Sequence, residues 1–513
     1  MTERRTTCLQ SIRGNIHHEE WRVLLRYARR VRKIRYINHL EETIRRSVFE
    51  TLLERLQGRP LFPNLQVLHW GSKSSKNTLK ILTNSPRLSV VILKDTHRLY
   101  LWHQSPTLNR TLSTISSSSV ALQELFVQGS SETLDNFVAT PACQNLERVV
   151  LDTYISMDTT LFSNLASLKS LRSLSISARI MEHGDDIRIE PKVERTEALV
   201  WASPFPALDR VAVKAEWGYH REPERVLSPL FSLLSASPIT MAEIKVSSWA
   251  TLTSSAFSVL NHLCAGRMSQ SLRTLRLHFK GDDWRADDGG RHHQAIRFKD
   301  SIDPLLALQR IEELRLGVVS WWIDISDADV AKMAAAWPHL TFLHIEYDPP
   351  EVIRWQANAF FHHAAFSYSQ KRPSILSLVD LAERCERLEE LALCAEDITE
   401  HELRALEDRA AGYRTKDGSV TTHDEPPLQR LHLTNGTHFQ SFCPRHVKRL
   451  ARVLHSMLPR MEGGGAPFLH RPSSPDHQEW KATWTGYEGT TAYEFQVELD
   501  ELQLEAKDTQ ARN

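Results

Sequence analysis

Ligand-type side chains gather at His438, Cys443 and His446, a spacing that would suit a zinc ion. Structural zinc takes four ligands, and no fourth candidate stands near in sequence, so no metal is expected there. Asp282, Asp283, Asp287 and Asp288 crowd a glycine-containing stretch, but they lack the full donor pattern of a calcium loop. His292-His293 and His362-His363 read as ordinary solvated histidines. Neither phosphate-cradling pattern, G-x-x-x-x-G-K-[ST] or G-x-G-x-x-G, occurs in the chain. G-x-S-x-G and H-E-x-x-H are missing as well. The sequence therefore reads as non-enzymatic, with no catalytic residue, metal or cofactor expected.

Charge narrows the partners further. Lys+Arg and Asp+Glu both total 63, so the formal net charge is +0 and no bulk field draws nucleic acid or an anionic membrane. Arg29-Arg30-Val31-Arg32-Lys33 is a local basic run that reads as the wet face of a helix rather than as a nuclear-import patch. No apolar run reaches the roughly 18 residues of a membrane span, and Met1–Thr7 lacks the apolar core of a signal peptide. Six cysteines without a CxxC pair read as free thiols, which predicts a cytoplasmic or nuclear protein.

What remains is an apolar spacing. Leu272, Leu275 and Leu277 read L-x-x-L-x-L. The spacing returns at Leu171-Leu174-Ile176, Ile311-Leu314-Leu316, Leu340-Leu343-Ile345, Leu388-Leu391-Leu393 and Leu428-Leu431-Leu433. It is looser at Leu65, Leu88, Leu122, Leu146 and Leu208, and weakest at Val31-Ile34-Tyr36 and Met241-Ile244-Val246. Amphipathic helical stretches lie between these motifs, often closed by Pro or Asn just before the next one, as at Pro63-Asn64-Leu65. The pattern matches the leucine-rich-repeat template, in which each repeat gives one short strand. It predicts an α/β leucine-rich-repeat solenoid (horseshoe), with a parallel concave sheet, an irregular helical convex side and an N-terminal helical cap. The expected divisions are a capping segment over 1–60, about twelve irregular repeats over 61–461, and a largely disordered tail over 462–513. In the cap, Trp21, Leu24, Leu25, Ala28 and Val31 form one apolar stripe, and a second helix ends at Gly58. Long spacings, such as 37 residues from Leu171 to Leu208, place insertions at Arg179–Pro206, Lys280–Lys299, Glu346–Pro373 and Arg409–Pro427.

Side chains alternate across a strand, so the residue between the last two apolar positions of each motif faces the concave wall. Along the chain that position gives Ile92, Phe126 and Val150, then Lys245, Arg276, Arg315 and His344. These seven are the expected partner-binding residues: an apolar anchor followed by a cationic strip. The strip either meets an acidic or phosphorylated partner or is neutralised locally by Glu243 and Glu313, two residues before Lys245 and Arg315 on the same face.

Two stretches carry a family resemblance. Glu20–Arg32 resembles a W-x-x-(F/L)-x-x-Y-A-x-R-V segment, and Arg59–Trp70 resembles an R-P-L-L-P-N-L-x-x-L-x-W line, both of the fungal F-box/leucine-rich-repeat proteins. The resemblance implies a substrate receptor of a ubiquitin ligase, holding an unknown protein partner in the repeat region. In that family an F-box of about 40 residues precedes the repeats and docks a Skp-type adaptor. Here the residues before Trp21 contain no L-P-x-E-(I/L) opening, so an adaptor is implied only if an F-box lies upstream.

Overall fold

The computed structural model describes residues 16–36, 46–71, 76–94, 106–117, 122–128, 134–153, 159–180, 204–217, 230–248, 260–261, 263–264, 266–281, 296–319, 323–348, 371–395, 398–413, 428–434 and 444–457. The chain divides into two compact units near residue 250. In the first unit, β1 (Lys33–Tyr36), β2 (Val67–Gly71), β3 (Val90–Lys94), β4 (Glu124–Gln128), β5 (Arg148–Thr153), β6 (Ser173–Ile180), β7 (Arg210–Trp217) and β8 (Met241–Ser248) pair in chain order, all parallel. The second unit repeats the design with β9 (Thr274–Gly281), β11 (Glu313–Val319), β13 (Phe342–Asp348), β14 (Glu390–Cys394) and β15 (Arg430–Thr434). A separate parallel pair, β10 (Ile296–Arg297) with β12 (Ile323–Asp324), joins this unit. Each unit is a leucine-rich-repeat solenoid.

The motifs explain the strands. The first Leu of a repeat is turned inward by a tight turn: the Leu65, Leu88, Leu340 and Leu388 N–H groups each donate to the carbonyl three residues earlier. Those four side chains and the two apolar positions that follow each of them are buried to 4% exposure or less. Fully burying a leucine contributes about 1.5–3 kcal/mol, so three per repeat bind each strand to its neighbours. Next comes a shared carbonyl. The Arg32 carbonyl accepts from both Gln66 and Val67 N–H, and Gln66 does the same for Ser89 and Val90. The arrangement recurs through the first unit and returns at Arg273, Glu312, Thr341 and Glu389 in the second. Side chains reinforce it on the far side: Ser85 Oγ donates to the Leu65 carbonyl at 2.9 Å, and Ser237 Oγ to that of Pro204 at 3.0 Å.

The N-terminal region differs from expectation in two ways. One helix, His18–Ala28, precedes the sheet, and β1 follows it inside residues 1–60. The second expected capping helix, Arg46–Leu56, comes after β1, and Gly58 at φ +81° turns the chain out of it. Trp21, Leu25 and Ala28 pack with Leu52, Leu56, Leu61 and Ile81. Leu24 does not join them. It lies with Val23 and Tyr27 among the exposed large apolar residues, so the helix is apolar on two faces.

The helix side of the second unit is tied by ion pairs. Arg409 of helix Glu400–Tyr413 reaches Asp380 at 2.7 Å and Glu383 on the preceding helix. Arg449 of helix Pro444–Met457 spans Glu400 and Glu407, each at 2.8 Å. Among the described residues no helix is long and apolar enough to cross a membrane. Residues 462–513 lie outside the described residues, as does most of each of the four insertions.

Candidate functional site

Alternation along β1 to β8 sets every second side chain on the strand face, in three rows at right angles to the strands. The middle row runs Arg35, His69, Ile92, Phe126, Val150, Ser175, Ala212 and Glu243. Two residues earlier on each strand, a flanking row includes Glu124, Arg148, Ser173, Arg210 and Met241. Two residues later, the other flank includes Lys94, Gln128, Asp152, Ser177, Lys214 and Lys245. Where Ser173, Ser175 and Ala212 present short side chains beside Phe126 and Arg148, an open groove of about 500 Å³ runs over β3 to β8. The three expected apolar residues, Ile92, Phe126 and Val150, all line it.

Lys94 Nζ lies 5.8 Å from the centre of the Phe126 ring, within reach of a cation–π contact. His69 sits at the end of the apolar stretch. Burial, followed by the nearby Lys33, Arg35 and Lys94 charges, holds its pKa below the ordinary 6.5. Arg148 is 4.0 Å from Glu124 and Arg210 is 3.5 Å from Asp209, with the two arginine side chains 59% and 68% exposed. Pairs this open and long are worth little, and both guanidinium groups keep donors for a ligand. Gln128 donates to Asp152 at 3.0 Å.

Lys245 is not where the motif spacing puts it. It stands opposite Lys214, while Glu243 takes the middle-row position opposite Ala212. The first buried position of that repeat is Ile239, followed by Ala242 and Ile244, whereas Met241 is only half-buried and faces the groove. Alanine at the second position hid the true register. Lys245 also forms an ion pair with Glu243 at 2.7 Å.

The strand face of the second unit follows a different plan. Arg276 stands opposite Arg315, and Arg315 opposite His344. Glu313 lies between the two arginines, 3.0 Å from Arg276 and 2.7 Å from Arg315. The Arg315 guanidinium also covers the Phe342 ring at 4.1 Å, and that ring lies 4.3 Å from the His344 imidazole. His344 Nε2 is 2.8 Å from Glu390 Oε1, and Arg430 is 2.9 Å from Glu390 Oε2. Glu390 is fully buried. The chain of contacts Arg276–Glu313–Arg315–Phe342–His344–Glu390–Arg430 therefore crosses five strands, and Glu313 and Glu390 answer the cations of the strip.

No protein-family model matches the chain, and no curated protein does. Among solved structures, an internalin (inlF) of Listeria monocytogenes is 11% identical with a TM-score of 0.37, covering 81% of this chain and 94% of that one. A leucine-rich-repeat protein of Leptospira interrogans is 12% identical with the same TM-score of 0.37, covering 88% and 99%. Neither likeness bears on what this chain holds.

Among the described residues no group of three His, Cys, Asp or Glu is placed to share a metal ion. His292, His293, His362, His363, His438, Cys443 and the aspartates from Asp282 to Asp288 lie outside them. Burial pushes the Cys143 and Cys264 thiols up to about 12 and that of Cys385 to about 11, far from the reactive thiolate. Sequence reasoning missed Arg148, Arg210, Glu390 and Arg430. All four sit two residues before the middle-row position of their strands, and the same alternation rule would have found them.

Proposed function

We propose that the chain is a protein-interaction module whose capture surface is the strand face of the first unit. The groove carries this reading: Ile92, Phe126 and Val150 stand side by side on adjacent strands, partly exposed, in the floor of an open 500 Å³ groove. A contiguous apolar surface rimmed by polar groups marks a contact site for protein. Aromatic anchors such as Phe126 commonly dominate the energy of such contacts. Phe126→Asp should abolish partner capture in a pull-down while leaving the far-UV circular dichroism and thermal unfolding unchanged. Undiminished capture by that variant would remove the apolar anchor.

At finer grain, the module is the substrate-recognition region of an F-box-type ubiquitin-ligase receptor. The Glu20–Arg32 and Arg59–Trp70 resemblances support this, and so does the exposed apolar face of Val23, Leu24 and Tyr27, which suits a further packing element. Co-purification of a Skp-type adaptor with the full-length chain tests it. Partner capture without any adaptor would make the protein a free-standing repeat scaffold.

A further inference from the structure

We infer that the groove of the first unit takes an extended, acidic-apolar peptide segment, with one bulky apolar side chain against Phe126 and Val150 and one carboxylate between Arg148 and Arg210. The inference rests on the interaction reading above and names its partner class. Arg148, Ser173 and Arg210 occupy one register position on three adjacent strands. Neighbouring strands lie about 4.8 Å apart, so the two arginine backbones are separated by roughly 10 Å. Long side chains from both can converge on one anion above Ser173, whose hydroxyl adds a further donor. Their own acids are poor competitors, because Glu124 and Asp209 approach only to 4.0 Å and 3.5 Å at exposed positions.

The wider field agrees. Lys33, Arg35 and Lys94 cluster around His69 at the other end of the apolar row, close enough to hold its pKa down. The apolar stretch thus lies between two cationic patches, and a carboxylate-bearing chain is the complementary occupant. Shape selects an extended segment. Six adjacent strands, β3 to β8, line the groove, which gives a run of about 24 Å, or roughly seven residues of extended chain. The site over Ser173 and the junction of Phe126 and Val150 are offset by about one and a half strands and one row, roughly 10 Å. The acidic and apolar residues of the ligand should therefore fall two to four positions apart.

Selection of a randomised twelve-residue peptide library on the full-length chain tests the inference. Enriched peptides should pair an aromatic or large aliphatic residue with Asp or Glu at that spacing. In fluorescence polarisation, Arg148→Glu with Arg210→Glu should weaken a selected peptide at least roughly tenfold and remove the acidic preference on reselection, while the apolar preference stays. Arg148→Lys with Arg210→Lys should retain most of the binding, which separates loss of charge from loss of fold. Enrichment of apolar peptides without an acidic residue, acidic enrichment that survives charge reversal, or no enrichment at all would each overturn the inference. The broader reading fails on a different result, undiminished pull-down by Phe126→Asp.

Discussion

On β3 to β5 the middle of the strand face is Ile92, Phe126 and Val150, three side chains presented to solvent. On β11 to β14 the equivalent positions are Arg315, His344 and Ala392, and Arg315 and His344 are held by Glu313 and Glu390. One backbone plan has thus produced two surfaces with opposite needs. The first leaves apolar side chains partly exposed and its arginines Arg148 and Arg210 only loosely paired. The second pairs its central charges internally: Glu313 meets Arg276 and Arg315, Glu390 meets His344 and Arg430, and Arg315 also covers the Phe342 ring. The middle-row cations Arg276 and Arg315 alone would have pointed to the second unit as the binding surface. Counting partners reverses that choice, because a charge already neutralised by a neighbour offers a ligand little.

Six substitutions and one titration would break or sharpen this contrast. The largest effect belongs to Phe126→Asp set beside Arg276→Asp. Partner affinity should fall by about 2 kcal/mol or more, roughly 30-fold, for the first, and by less than threefold for the second. Equal losses in a binding titration would erase the distinction. Next is Glu390→Ala, which strips His344 and Arg430 of a buried carboxylate. Chemical denaturation should show a loss of about 2 kcal/mol, whereas Glu243→Ala, which removes a partly exposed pair, should cost under about 0.5 kcal/mol. Similar values would mean that the second face is no better satisfied than the first. Glu313→Gln should convert the saturated surface into a receptive one by freeing Arg276 and Arg315. Polyglutamate binding at low salt should rise about fivefold, an effect of roughly 1 kcal/mol that added salt suppresses. Lys245→Ala should leave both stability and partner affinity within about 0.5 kcal/mol of wild type.

The smallest effect expected is a pH dependence at His69. Its pKa is lowered in the folded state, so the unfolded chain takes up the proton first. Its contribution is intact above the ordinary pKa of 6.5, and stability is lost as the pH falls from there through the folded value. His69→Gln should show a shallower decline between pH 7 and 5 in thermal unfolding.

The repeats were legible because burial forces them to be. Leu65, Leu171, Leu272 and Leu340 are fully buried, as are the two apolar positions that follow each of them, to 4% exposure or less. Legibility failed where a small residue stood in for a large one, as Ala242 did, moving the apparent start of β8 by two residues. It failed again for Leu24, which fits the helical stripe yet faces solvent. The apolar anchor was legible residue by residue. The groove beside it was not, because a groove is made by what Ser173, Ser175 and Ala212 lack. Neutralisation by Glu313 was foreseeable from its two-residue offset along β11. Alternation places Glu390 on the same face, but its pairing with His344 was not foreseeable, since it depends on a strand 48 residues downstream of its neighbour.

The shared carbonyl at each strand entry has a consequence for the history of such a chain. Both N–H groups that open a strand are anchored to one oxygen on the strand before, so alignment is set at the entrance and owes nothing to the length of chain beyond the exit. Intervals as different as 23 residues between Leu65 and Leu88 and 48 between Leu340 and Leu388 therefore enter neighbouring strands in the same phase. Segments can be lengthened, shortened or exchanged at the exits without disturbing the rest of the ladder. Variation in what the protein meets can accumulate there while the scaffold that presents it stays fixed.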